Sequence, residues 1–201
     1  MPFKLLCAAS GRLGGPDRST PVHDVLIDLR GYVARRAPGS DMEHVGLFHQ
    51  TFAEYLLDPK SQFGTEAGEP YLAIADALAE LAPIDKPSPA DPLHQYASRR
   101  EAEHLWAIGK HSEAIQSLEK RELPIPSENL QRWLSLEGRC HKLLGKDHRD
   151  SLWIRGGVAR WTGQTGDARK ALGLLQDLLP DRERVLGKEH PDTLRTRRWI
   201  S

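Results

Sequence analysis

The chain has 201 residues, enough for one medium or two small domains with a real core. Lys plus Arg equals Asp plus Glu at 28 each, so the formal net charge is zero and gives no electrostatic case for nucleic acid or an anionic membrane as partner. The two cysteines, Cys7 and Cys140, form no CxxC pair, which argues against a disulfide framework or a zinc site and fits a reducing cytoplasm.

In chain order, MPFKLLCAAS (residues 1–10) has too short an apolar run for a signal peptide, and Lys4 stands where a lipoprotein box needs an apolar residue. VHDVLIDL (22–29) predicts a helix, residues 32–36 a strand, Pro38-Gly39-Ser40-Asp41 a turn, and residues 45–48 a returning strand. Residues 60–92 hold one helix between polar, proline-rich stretches, with KPSPADP (86–92) as the hinge. From Leu93 onward the sequence reads as helix after helix. No stretch of about 18 apolar residues occurs, so no membrane span is expected.

The helical part repeats itself. LGKDHRDSL occupies 144–152 and LGKEHPDTL occupies 186–194, 42 positions later, and a period of this order marks a repeat array. Each copy reads as the corner between two helical hairpins. Asp150 lies in the first turn of the next helix, where the positive end of the dipole favours an acid, and Pro191 falls at the first helical position of the second copy. Leu175, Leu178 and Leu179 belong to an apolar stripe starting at Ala168, which Pro180 should kink or split. Gly156-Gly157 should weaken the preceding helix by roughly 1 kcal/mol each. Ala102, Gly109, Ala114 and Leu118 share a spacing with Ala159, Gly166, Ala171 and Leu175, so small residues are expected where paired helices approach closely. Ser127 is expected to cap the helix through Trp133 and Cys140. The helix 192–200 is expected to lack its hairpin partner, and self-association through this open last repeat follows as an expectation.

These corners and the Gly166-Asp167-Ala168 turn resemble tetratricopeptide repeats of the 42-residue, kinesin-light-chain-like variety. Arg149 departs from the pattern's proline. The resemblance implies an α-solenoid that binds other proteins or peptides through its repeat surface. A second resemblance lies in VGLFHQTFAEYLL (45–57), similar to the end of the winged-helix module of bacterial STAND ATPases, the class that includes NACHT and NB-ARC proteins. It implies that His49 is the histidine that senses the nucleotide, in a parent assembly only; a helix-start histidine packed under the wing is the plainer reading. No G-x-x-x-x-G-K-[ST] loop occurs, since Gly109, Gly145 and Gly187 each precede Lys but never Lys-Ser or Lys-Thr. The chain therefore looks like the carboxyl-terminal part of such a protein without its motor.

No HExxH motif, His/Cys cluster or G-x-S-x-G elbow accompanies the nine histidines. His148 and His190 recur because the corner recurs. Trp153, whose copy is Arg195, points to an exposed contact face. The expected architecture is mainly α: a small winged-helix-like module at 1–59, a linker with one helix at 60–92, and tetratricopeptide-like helical hairpins at 93–201, the last incomplete. The expected role is a non-catalytic protein-interaction scaffold of bacterial signalling type, cytoplasmic, with no catalytic residue, cofactor or metal. A nucleotide-dependent switch acting with a separate NTPase is the alternative. A DNA-binding winged helix is disfavoured, because Asp24 and Asp28 on the helix before the wing would repel phosphates.

Overall fold

The computed structural model describes residues 1–47 and 68–201. In chain order these form α1 (Phe3–Arg12), α2 (Ser19–Asp28), β1 (Val33–Arg36), β2 (His44–Leu47), α3 (Glu69–Leu81), α4 (Pro92–Ala107), α5 (His111–Lys120), α6 (Pro126–Leu144), α7 (Arg149–Gln164), α8 (Ala168–Val185) and α9 (Pro191–Ile200). The chain divides into two compact units, residues 1–117 and 118–201.

The first unit is built around α1, which buries two faces. Leu5 packs with Ala77 and Leu78 of α3 and Leu93 and Ala97 of α4. Phe3 and Cys7 pack with Val22 and Leu26 of α2 and Val33 of β1. The short apolar run near the amino terminus is thus the central helix of this unit, a role its sequence did not suggest.

The strands form an antiparallel hairpin, with Val33 opposite Leu47 and Arg36 opposite His44. Ala37 and Gly39 take positive φ in its turn. An isolated bridge joins Pro2 to His44. Glu43 pins the hairpin: it is 1% exposed and accepts from the Gly39 N–H at 2.8 Å, Arg35 Nε at 2.7 Å and His23 Nε2 at 3.1 Å. Burial alone would raise its carboxyl, but these donors together hold it below the ordinary carboxylate value.

Asp91 caps α4 by accepting from the Leu93 N–H at 2.7 Å, with Pro92 at the first helical position. On α4, the buried Glu101 accepts from Ser117 Oγ at 2.6 Å. His104 is buried beside the Tyr96 hydroxyl at 3.0 Å.

In the second unit α6 packs on α7, α7 on α8, and α8 on α9. Two local expectations are corrected: Ser127 does not cap α6, and Pro180 does not split α8. Pro126 occupies the first turn of α6 with Ile125 as N-cap, so Ser127 lies inside the helix. Asn129 orders this end, its Oδ1 accepting from Leu123 N at 2.9 Å and its Nδ2 donating to Leu123 O at 2.7 Å. Helix α8 continues unbroken through Pro180; Pro180 and Gln176, whose carbonyl loses its helical donor, both lie on the exposed face, where water can take that donor's place. Gly156 and Gly157 sit inside a continuous α7 because they face large neighbours: a Cβ at Gly156 would meet the Arg182 guanidinium, and one at Gly157 would land on the Trp133 ring.

Candidate interaction surface

The repeated corner has the same construction twice. Gly145 (φ 80°) and Gly187 (φ 97°) leave the preceding helix in the left-handed region that glycine tolerates. Two residues of turn follow, and then a histidine caps the next helix. His148 Nδ1 accepts from the Asp150 N–H at 3.2 Å, and His190 Nδ1 accepts from the Asp192 N–H at 3.2 Å. The recurring histidines are therefore capping groups, which accounts for their place in the nonapeptide. At the first corner Ser151 Oγ donates to Gly145 O at 2.6 Å and lies 3.0 Å from Cys140 Sγ, while Arg184 ties Asp147 to α8 at 2.6 Å.

Beneath the second corner lies Arg182, 1% exposed. It donates to Leu152 O on α7 at 2.9 Å, and to Asp192 O at 3.1 Å and Thr196 Oγ1 at 2.7 Å on α9. One side chain thus staples three helices, and Gly156 provides its room. Burial lowers its pKa to about 10, so it remains charged at neutral pH.

Two surface features can meet a partner. The first is a cleft of about 530 Å³ between α6, the first corner, α7 and α8, lined by Leu134, Glu137, His141, Lys146, Arg155 and Asp181 among others. Arg155 reaches Asp181 at 2.7 Å, and this bond, with Arg184 at 3.1 Å, holds the Asp181 carboxyl below its ordinary value. Glu137 is half-buried and, among the described residues, makes no hydrogen bond or ion pair; burial raises its carboxyl against the opposing pull of Arg155 and His141.

The second is an aromatic–cation stack. The Arg195 guanidinium lies 4.8 Å from the Trp153 ring centroid and 5.5 Å from that of Trp199. Trp153 Nε1 donates to Glu119 at 2.7 Å. The repeat-equivalent pair Trp153 and Arg195 therefore stack on each other. Trp153 is half-buried, and Trp199 is the more open ring, 40% exposed.

His49 lies outside the described residues. Among the described residues no group of three or more His, Cys, Asp or Glu could hold a metal ion, and no helix is long and apolar enough to cross a membrane. The cleft was not legible in the sequence because its members lie on three helices and a corner. The signal that could have found it is the 42-residue register, which sets His141 against Glu183 and Arg155 against Arg197.

A comparison with curated proteins finds no match. The family model described as tetratricopeptide repeat matches residues 151–192, the span that begins inside α7 and runs through α8 and the second corner. This part of the chain is a tetratricopeptide-like helical hairpin.

Proposed function

We propose that the chain is a non-catalytic scaffold for protein–protein recognition, of the type used in bacterial cytoplasmic signalling. The observation that carries this reading is the tetratricopeptide-repeat match over 151–192 on helices that expose a cleft and an aromatic–cation stack. Stacked helical hairpins bury their cores between neighbours and leave extended faces for partners. The division we propose is a winged-helix-like module at 1–59, a linker with one helix at 60–92, and repeats at 93–201.

The order α2, β1, β2, with the Pro2 to His44 bridge beside the hairpin, supports the winged-helix part of the reading. With it we infer a relationship to STAND-type regulators, in which the alternative role is a nucleotide-dependent switch working with a separate NTPase and His49 is the nucleotide-sensing residue.

Site-specific photo-crosslinking tests the scaffold reading. A crosslinker at Leu134 or Trp199 should trap one discrete protein in cells, whereas one at the exposed Arg169 should not. Identical crosslink patterns from all three positions would remove the repeat surface as the recognition face. For the switch, calorimetric titration with ADP and ATP, with and without His49→Ala, gives the answer: we expect no turnover by the isolated chain, and magnesium-dependent hydrolysis abolished by a single substitution would overturn the non-catalytic reading.

A further inference from the structure

Within the second unit the two repeat steps differ at the ion pair that ties the end of one helix to the next. At the later step Glu183 Oε1 receives Arg197 Nε at 3.2 Å and Nη2 at 2.7 Å. At the earlier step the register keeps the arginine, as Arg155, but replaces the acid with His141. Arg155 bonds Asp181 instead, and the place corresponding to the Glu183 carboxylate belongs to the cleft lined by His141, Lys146 and Arg155. The chain thus contains its own template for what this cleft accepts.

We propose that the cleft takes a carboxylate side chain from an acidic segment of a partner protein, seated by Arg155, His141 and Lys146 as Glu183 is seated by Arg197. This rests on the scaffold reading above and names the chemistry of its partner. Charge complementarity supports it. Residues 118–201 carry 17 Lys and Arg against 12 Asp and Glu, whereas residues 1–117 carry 11 against 16, so the zero net charge conceals an opposite split. Arg139, Lys142, Lys146 and Arg149 lie exposed along α6 and the corner, and among the described residues none of them makes a side-chain hydrogen bond or ion pair. These cations would steer an acidic chain towards the cleft. The charges opposing it are Asp181, already shared between Arg155 and Arg184, and Glu137. Burial raises the Glu137 carboxyl, and Arg155 and His141 pull it back.

The test is titration of the full ¹⁵N-labelled chain with a hepta-glutamate peptide. Amide shifts should centre on His141, Lys146 and Arg155, and the affinity should fall with added salt. His141→Glu supplies the acid that the register lacks and should weaken binding about tenfold, and Lys146→Gln about threefold, with thermal midpoints unchanged. Arg169→Gln, an equal change of one charge on the exposed start of α8, should change affinity by less than about twofold. Equal loss in His141→Glu and Arg169→Gln would mean diffuse attraction to the whole unit and would overturn the proposal. So would shifts centred elsewhere, or a heptathymidylate that binds as tightly and displaces the peptide. Absence of any peptide binding overturns this inference alone, because the scaffold reading is judged separately by the crosslinks at Leu134 and Trp199.

Discussion

Gly156 and Gly157 hold space for one side chain each, and their energetics can be separated. For Gly157→Ala the new methyl meets the Trp133 ring, and overpacking of about 1–3 kcal/mol outweighs the roughly 1 kcal/mol gained in helix propensity. A lower urea midpoint is the expected outcome. Gly156→Ala should also destabilise, because the Arg182 guanidinium it meets is fixed by three acceptors. With Arg182→Met as background that obstacle is removed, so the same Gly156→Ala change should stabilise by up to about 1 kcal/mol. A double-mutant cycle with no reversal of sign would show that Gly156 does not serve Arg182. The glycine pair was conspicuous in the sequence, but only its propensity cost could be read there. The compensation comes from residues 24 positions before and 26 positions after, which local pattern does not connect.

At the scale of elements, the repeat was legible because its corners use short-range chemistry: a left-handed glycine, a capping side chain and an acid in the first turn recur at fixed offsets. The strands, the α3 helix and the small residues at helix contacts were legible for the same reason. Ala171 is buried, and its methyl faces the place where a Cβ on Gly163 would sit, at 3.5 Å. Ala171→Leu should therefore cost about 1–3 kcal/mol by overpacking between α7 and α8; an unchanged thermal midpoint would place Ala171 off that contact. Helix α1 was not legible, since its apolar run is short and the residues that bury it on α2, β1, α3 and α4 all come later in the chain. That Pro180 does not split α8 was not legible, because Gln176 facing water is a tertiary fact.

For the molecule as a whole, the two units should respond differently to acid. His104 in the first unit is 9% exposed, and its Nδ1 has no partner among the described residues. Burial lowers its pKa to about 4, with Glu103 and Glu101 pulling upward and Arg100 downward. Because the unfolded chain binds this proton near the ordinary value of 6.5, stability is full above that pH and is lost as pH falls from 6.5 through about 4. The loss approaches about 3 kcal/mol once both states are protonated. Glu43 acts in the same direction further down, since its lowered carboxyl stabilises the hairpin only while ionised. Hydrogen exchange across the pH 7 to 4 range should show α4 losing protection before α7 and α8, and His104→Gln should flatten the upper part of that profile. Whole-chain composition hid this contrast, just as its zero net charge hid the split between the units.

The Arg182 staple also bears on how such an array can change length. Duplicating residues 145–186 would set Arg182 against the copied Asp150 carbonyl, which preserves one acceptor, but against Ile154 where Thr196 now supplies a hydroxyl. Deleting the same span would bring Cys140 beneath Thr193, a hydroxyl much like the Ser151 it already meets. Recombination between the two near-identical corners therefore fails in both directions: the shortened array sets Trp199 where Gly157 now makes room for the Trp133 ring, and the lengthened one leaves a buried cation facing an isoleucine.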